Sequence, residues 1–238
     1  YYSPNEINAQ KDIVIATTTA AKETSEKSGV KLSFRHALSQ IIIKAKCDRN
    51  DGYSVTAAHT GIAGTAGFGT LSVTTDGLEW SRRYHDGKMR AYSVDLGKKL
   101  EAASQILNNT PYLLIPDNLE AWDVKKDKSN ANMSAYLVIN IKIIKDGKQL
   151  YPDEKNWTEE EIKSRFSTGY GRVAIPLAIN WEAGKKYIYT VDFSDGFGYY
   201  LPNDPTKPGE PILGNPIKIA NVEVEDWDDT TPEQELIP

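Results

Sequence analysis

Residues 30–45 read VKLSFRHALSQIIIKA, and this stretch decides the fold class. Apolar side chains alternate with polar ones from Val30 to Phe34, and the alternation resumes at Ile41 after an irregular step around His36. Because successive side chains of a strand point to opposite faces of a sheet, the pattern predicts strand, irregularity and strand, with one apolar face. We expect that face to lie in a core.

The same alternation returns in seven further short runs. They are Tyr53–Thr56, Leu71–Thr75, Tyr92–Leu96, Tyr136–Ile144, Arg172–Leu177, Tyr187–Phe193 and Ile217–Val224. Turn-forming residues bound them, as at Asn50-Asp51-Gly52 and Asp146-Gly147. Short strands separated by turns predict an all-β fold, an antiparallel β-sandwich, rather than alternating strands and helices. The residues predicted for its core are Leu32, Phe34, Ile41, Ile43, Leu114, Val138, Tyr187, Tyr189 and Val191.

One or two short helices are expected beside the strands. Thr158 can cap the backbone N–H of Glu161 while the Glu161 side chain reaches back, so a helix of about two turns is predicted to run on to Phe166. A second candidate helix, from Lys98 to Leu107, has no clear capping residue.

Composition and charge exclude several classes of protein. Of the 238 residues, 39% are hydrophobic and 26% charged, which is typical of a globular protein. The 28 Lys and Arg against 33 Asp and Glu give a net charge of −5 without a basic cluster, so nucleic acid is not an expected partner. The longest apolar runs, such as residues 135–139, are far shorter than the ~20 residues that cross a bilayer. No membrane-spanning segment is predicted.

No arrangement of catalytic or metal-binding residues stands out. The three His lie in unrelated segments without the spacing of zinc ligands, and His36 is interpreted as a hydrogen-bonded structural histidine. Cys47 is the single cysteine and is interpreted as a small buried side chain. No Ser nucleophile has a matching His and carboxylate. We therefore predict a protein without enzymatic activity, metal or cofactor, although a carboxylate pair for glycoside hydrolysis is not excluded by sequence.

One aromatic loop is a candidate for ligand contact. Phe197, Tyr199 and Tyr200 lie together between Gly196 and Leu201, and aromatic faces stack on sugars and other flat ligands. These three residues are the predicted ligand-contact site.

Five segments together resemble one family. They are residues 12–16 (DIVIA), 30–41 (VKLSFRHALSQI), 112–116 (YLLIP), 181–191 (WEAGKKYIYTV) and 222–227 (VEVEDW), in this order. The chain resembles the fimbrillin family, the pilus and surface-adhesin subunits of Bacteroides-type bacteria. Asp117 departs from the family pattern, which usually has Gln after the Ile-Pro.

The resemblance implies a transthyretin-like β-sandwich without catalytic activity. It also implies a secreted lipoprotein at the outer membrane that joins a cell-surface fimbrium by exchanging a donor strand with other subunits. Under this interpretation residues 1–28 are the remnant of a preceding N-terminal domain plus a linker, and residues 29–238 are the C-terminal β-sandwich. Fimbrial subunits are the expected partners, with a host or microbial glycan or protein as a further one.

The end of the sequence bears on the role within such a fimbrium. Residues 228–238 are apolar only at Leu236 and Ile237, and Pro232 removes a ladder donor, so they make a poor donor strand. We therefore predict a tip or accessory subunit or adhesin rather than a stalk subunit. The alternative is a non-catalytic carbohydrate-binding β-sandwich that uses the aromatic loop.

Overall fold

The computed structural model describes residues 1–4, 7–26, 29–74, 77–85, 89–90, 97–153, 169–214 and 216–227. Within these ranges one short α-helix, α1 (Lys22–Ser25), and two 3-10 helices, Ile7–Ala9 and Ile212–Gly214, accompany the strands. The strands are β1 (Val14–Ile15), β2 (Arg35–His36), β3 (Ser39–Lys46), β4 (Tyr53–Ala63), β5 (Ala66–Thr74), β6 (Gly77–His85), β7 (Met89–Arg90), β8 (Lys98–Lys99), β9 (Gln105–Ile106), β10 (Tyr112–Leu114), β11 (Asn118–Leu119), β12 (Tyr136–Lys145), β13 (Lys148–Tyr151), β14 (Gly171–Pro176), β15 (Ile179–Asn180), β16 (Lys185–Asp192) and β17 (Ile219–Asp226).

The first of two main sheets is built on β3 and β16. These two strands run parallel, with Tyr187 beside Ile41 and Val191 beside Ala45. Strands β9 and β10 follow one another along the outer side of β3, and β17 pairs antiparallel with the outer side of β16. Strand β17 is therefore an edge of this sheet.

The second main sheet is antiparallel throughout. Strand β12 lies between β4 on one side and the consecutive partners β13 and β14 on the other. Strands β7 and β8 cover the far side of β4. Each main sheet is thus four strands wide, with some positions filled by two short strands in succession.

The two sheets pack face to face around one apolar core. Alternate residues of β3 are buried, and the same cluster contains alternate residues of β12 from the opposite sheet. The predicted all-β sandwich is confirmed, with the parallel pair β3–β16 as the exception to an antiparallel arrangement. Six predicted core residues belong to this cluster: Ile41, Ile43, Leu114, Tyr187, Tyr189 and Val191. Val138 is buried too, but on the other face of β12, since its neighbours Leu137 and Ile139 are in the cluster.

The predicted burial of Leu32 and Phe34 is wrong. Leu32 is 40% exposed and Phe34 64% exposed, and both lie outside the strands. The continuous ladder with β16 begins only at Gln40, beyond the irregular step at Ala37 and Leu38. Alternation indicates that two faces differ in polarity, and it does not show that another layer covers the apolar one.

The second candidate helix, Lys98 to Leu107, is also wrong. This segment forms β8 and β9, which complete the edges of opposite sheets, and Leu100 and Leu107 enter the core. Pairing with β4 and β3 therefore outweighs local helix propensity. The predicted helix from Thr158 to Phe166 and the predicted strand Tyr92–Leu96 lie outside the described residues.

The N-terminal residues contact three separate elements. Tyr1 and Ser3 pair with Gly69 and Gly67 of β5 through backbone hydrogen bonds. The Gln10 side chain accepts a hydrogen bond from the backbone N–H of Leu113, and β1 pairs antiparallel with β2. The predicted strand at residues 12–16 therefore has a partner. The division into domains at residue 28 stays a prediction.

Asn108 replaces a missing strand residue at the edge of the first sheet. It is buried between β9 and β10, where no ladder pairing to β3 exists. Its Oδ1 accepts from the backbone N–H of Ile43 at 2.6 Å, and its Nδ2 donates to the carbonyl of Ile41 at 3.0 Å. The side chain thus continues the hydrogen bonding of the sheet.

We expect Asn108→Ala to lower the free energy of unfolding by about 1 to 3 kcal/mol, because two buried backbone groups of β3 lose their partners. Urea denaturation followed by tryptophan fluorescence measures the change. Asn109→Ala is the matched control, since the Asn109 side chain is exposed and should change stability by less than about 0.5 kcal/mol. Equal effects of the two substitutions would contradict the role of Asn108.

Candidate interaction surfaces

The aromatic loop lies along the outer edge of β14. Tyr199 and Ala174 exchange two backbone hydrogen bonds, at 2.8 and 2.9 Å, and the backbone N–H of Tyr200 donates to the carbonyl of Glu210. Gly198 has a φ of +92°, and a Cβ there would lie 3.0 Å from the carbonyl oxygen of Ala174. Glycine is required because the backbones approach closely in a conformation that disfavours side chains. The loop therefore covers an edge that would otherwise be open.

Phe197, one of the three predicted ligand-contact residues, is buried. Its side chain is only 2% exposed and belongs to the main core, with its ring centroid 5.5 Å from that of Tyr53. The guanidinium carbon of Arg49 lies 4.1 Å from the centroid of Tyr53 and closes this end of the core. Burial of a large aromatic ring outweighs the polar character of the surrounding loop.

Tyr199 and Tyr200 are each half-buried against another aromatic residue. Tyr199 contacts Trp122 with ring centroids 6.1 Å apart, and Tyr200 contacts Tyr151 at 5.9 Å. Burial raises the pKa of both phenol groups above the ordinary value, and nearby carboxylates add to the rise at Tyr200. Both are therefore neutral at physiological pH. Ligand contact by this loop stays a prediction, and it now rests on these two rings.

His36 joins two distant parts of the chain. Its Nδ1 lies 2.7 Å from Oδ2 of Asp12, and its ring stacks on Trp227 with centroids 3.8 Å apart and planes within 4°. This geometry agrees with a structural histidine. It holds the N-terminal segment and the end of β17 against β2.

The buried carboxylate of Asp117 was not singled out as structural in the sequence. Its Oδ2 accepts from the backbone N–H of Ala66 at 3.2 Å, its Oδ1 accepts from Asn118 at 2.9 Å, and Nε of Arg82 lies 3.4 Å away. It ties the hairpin of β5 and β6 to the connection after β10. The sequence signal for its burial is its position directly after the apolar run of residues 112–116.

Strand β17 presents an open edge. Seven of its eight residues are matched to β16, six of them one after another from Asn221 to Asp226. Within the described residues no strand pairs with its other side. Val222 and Val224 lie opposite Tyr189 and Tyr187, yet they are 45% and 55% exposed. The first sheet therefore extends beyond the cover of the second at this edge. Exposed edge strands are sites of strand addition.

The described part of the chain was searched for groups of metal-binding side chains and for a reactive thiol. No group of three or more His, Cys, Asp or Glu is placed there to hold a metal ion. Burial raises the pKa of the Cys47 thiol to about 11, which keeps it protonated and a poor nucleophile at neutral pH. Among the same residues, no helix is long and apolar enough to cross a membrane.

Comparisons with known proteins give a family and several solved structures. A family model described as Fimbrillin-like matches residues 2–227. A fimbrial protein from Bacteroides vulgatus is 14% identical, with a TM-score of 0.42, and the match covers 88% of this chain and 60% of that one. No curated protein matches.

Two further solved structures are similar to this chain, with comparably low sequence identity and TM-score. A proposed cell adhesion protein from Parabacteroides distasonis is 7% identical with a TM-score of 0.45, over 83% of this chain and 54% of that one. Another from Bacteroides eggerthii is 14% identical with a TM-score of 0.38, over 84% and 60%. This chain therefore spans less than two thirds of the length of each structure compared.

Proposed function

Because the chain belongs to the fimbrillin-like family, with residues 2–227 matched, we propose that it is a non-catalytic subunit of a cell-surface fimbrium, or an adhesin. The family match over nearly the whole chain is the observation that carries the proposal. The outer membrane is the proposed place of attachment, through a lipid-modified form, and the transthyretin-like description of the sandwich belongs to the same proposal.

Assembly with other fimbrial subunits by strand exchange is part of this proposal. An edge strand carries backbone N–H and C=O groups that a strand from another subunit can satisfy. Strand β17 supplies such an edge, whereas the edge of β14 is already covered by the aromatic loop. The tip or accessory role rests on the composition of residues 228–238, which lie outside the described residues, and stays a prediction.

A carbohydrate-binding module is the second candidate function. The half-buried rings of Tyr199 and Tyr200 favour it, since each is held in place by a neighbouring aromatic ring. A glycan array with the wild-type protein and a Tyr199→Ala/Tyr200→Ala variant distinguishes the two. Specific glycan binding that the variant loses would support the module.

The surface role is tested in the bacterium that encodes the protein. Filaments sheared from the cells should contain the protein, and antibody labelling should place it on intact cells. A cytosolic enzyme probed in the same fractions is the control for lysis. Recovery of the protein only with the cytosolic control would overturn the proposal, as would saturable enzymatic turnover abolished by a single carboxylate substitution.

A further inference from the structure

The hairpin of β5 and β6 is fixed to the rest of the protein by one of its two faces. On this inner face, Nε1 of Trp80 donates to the carbonyl of Ala37 at 2.7 Å. The Trp80 ring lies against Gly69, where a Cβ would be only 2.8 Å from it. Because successive side chains of a strand point to opposite faces, residues 68, 70 and 72 point away from this contact.

Six exposed side chains form the opposite side of the hairpin, which we call the outer face: Tyr2, Phe68, Thr70, Ser72, Glu79 and Ser81. Ser81 lies opposite Thr70, and Glu79 lies opposite Ser72. Tyr2 joins them because it is bridged to Phe68. The row from Phe68 to Ser72 is about 14 Å long, since a strand rises about 3.4 Å per residue, and this length suits an extended ligand.

The aromatic pair distinguishes the outer face from an ordinary solvent-facing sheet. Polar residues are usual on the solvated face of an antiparallel sheet, whereas large rings are usually buried. Tyr2 is 51% exposed and Phe68 43% exposed, and their ring centroids lie 5.0 Å apart with the planes at 48°. Each ring restricts the rotation of the other. The pair is therefore a preorganised platform for a flat apolar surface.

The polar residues beside the platform match the hydrogen-bonding groups of a sugar. The hydroxyl groups of Thr70, Ser72 and Ser81 both donate and accept, as sugar hydroxyl groups do, and the Glu79 carboxylate accepts. The C–H face of a sugar ring stacks on an aromatic ring in the same way as other flat ligands. Ser and Glu are depleted in interfaces between proteins, so this composition favours a glycan over a protein partner.

Charge restricts the glycans that fit. Of the described side chains of the outer face, only Glu79 is charged, and the whole chain has a net charge of −5. Sulfated or sialylated glycans would meet like charge at this face. A neutral glycan meets none and can donate its hydroxyl groups to the Glu79 carboxylate.

We infer that the outer face binds a neutral linear glycan, an inference that rests on the proposed adhesin role and names the class of its ligand. One sugar ring stacks on Tyr2 and Phe68, and the chain of sugars continues along the strands towards Ser72 and Glu79. The site belongs to the β5–β6 hairpin and does not include the aromatic loop at the edge of β14.

Titration calorimetry with defined oligosaccharides tests the inference. The probes are linear hexasaccharides of glucose, mannose and N-acetylglucosamine, and a sulfated hexasaccharide of heparin. We expect at least one neutral probe to bind the purified wild-type protein and the sulfated probe not to bind. Tyr2→Ala and Phe68→Ala should each weaken binding at least about tenfold, because each removes part of the stacking platform.

A second variant and a direct measurement support the assignment of the site. Thr70→Val/Ser72→Ala keeps both rings and removes two hydroxyl groups, so binding should weaken about three- to tenfold. In the wild-type protein, the amide NMR signals of residues 68–72 and 79–81 should shift when the probe is added. This measurement does not depend on the folding of any variant.

Two control variants should leave glycan binding unchanged. Val73→Ala alters an exposed apolar side chain of the same hairpin, but Val73 lies on the inner face. Tyr199→Ala/Tyr200→Ala alters the aromatic loop. Far-UV circular dichroism and urea midpoints verify that all variants are folded.

Four results would overturn the inference. They are the absence of binding to every neutral probe, equal binding of the sulfated probe, binding that survives both Tyr2→Ala and Phe68→Ala, and binding that only the Tyr199→Ala/Tyr200→Ala variant loses. None of them changes the surface role, which is judged by the presence of the protein in sheared filaments. Absence from filaments with intact glycan binding would reject the fimbrial role alone.

Discussion

Replacing Phe193 by alanine is expected to lower the free energy of unfolding by about 3 to 5 kcal/mol. The side chain is fully buried in the main core directly after β16, and its backbone N–H donates to the carbonyl of Lys46 at 2.8 Å. Removing the ring loses its transfer free energy and leaves a cavity between two sheets that cannot close without shifting their strands. Urea denaturation measures the loss as a lower midpoint at unchanged slope.

Phe34→Ala is the matched control for this loss, because the chemical change is identical and the burial is opposite. The exposed Phe34 ring should contribute less than about 0.5 kcal/mol to the stability of the monomer, so the two midpoints should differ clearly. A large loss at Phe34 would show that the ring is buried in solution.

Asp117→Ala is expected to lower the free energy of unfolding by about 2 to 4 kcal/mol. The buried backbone N–H of Ala66 loses its acceptor, a change that costs about 1 to 3 kcal/mol for a buried donor. Asn118 and Arg82 lose partners as well, but Arg82 is partly exposed and can be solvated, so its share is small. Thermal and urea denaturation both report the effect.

Two further variants separate the hydrogen bonds of Asp117 from its charge. Asp117→Asn keeps one acceptor oxygen, so it should lower the free energy of unfolding by less than Asp117→Ala does. Arg82→Met removes the charged partner and keeps both backbone hydrogen bonds, so we expect a loss of about 1 kcal/mol or less. If Arg82→Met lowered the free energy of unfolding as much as Asp117→Ala, the ion pair and not the backbone hydrogen bonds would hold the hairpin of β5 and β6 in place.

Most strands of six or more residues were predictable because their alternation is local. The runs at residues 136–144 and 187–193 were identified from the sequence, and the structure places β12 and β16 at almost the same bounds. The strand at residues 12–16 was also identified, and its pairing with β2 follows from the need of a strand backbone for partners. The shape of the segment from Lys98 to Leu107 was not predictable, because edge positions along β3 and β4 determine it.

For the aromatic loop, too, the sequence does not show which distant residues become its neighbours. The sequence correctly grouped Phe197, Tyr199 and Tyr200 in one loop. Their contacting partners Tyr53, Trp122 and Tyr151 are 49 or more positions away along the chain. Local composition carries no information on such neighbours, so the burial of Phe197 could not be inferred. The family resemblance, by contrast, depended only on sequence motifs and was confirmed by the match over residues 2–227.

The amino-acid sequence by itself determined that this protein is an all-β sandwich of the fimbrillin-like family, because alternation with a period of two depends only on the order of the residues. Which apolar rows are covered was decided only by the tertiary structure. Ile41 and Ile43 are buried, whereas Leu32, Phe34, Val222 and Val224 alternate equally well and remain exposed. The reason is that burial requires a second layer over the apolar face, and the second sheet does not extend over β17 or over the segment before β2.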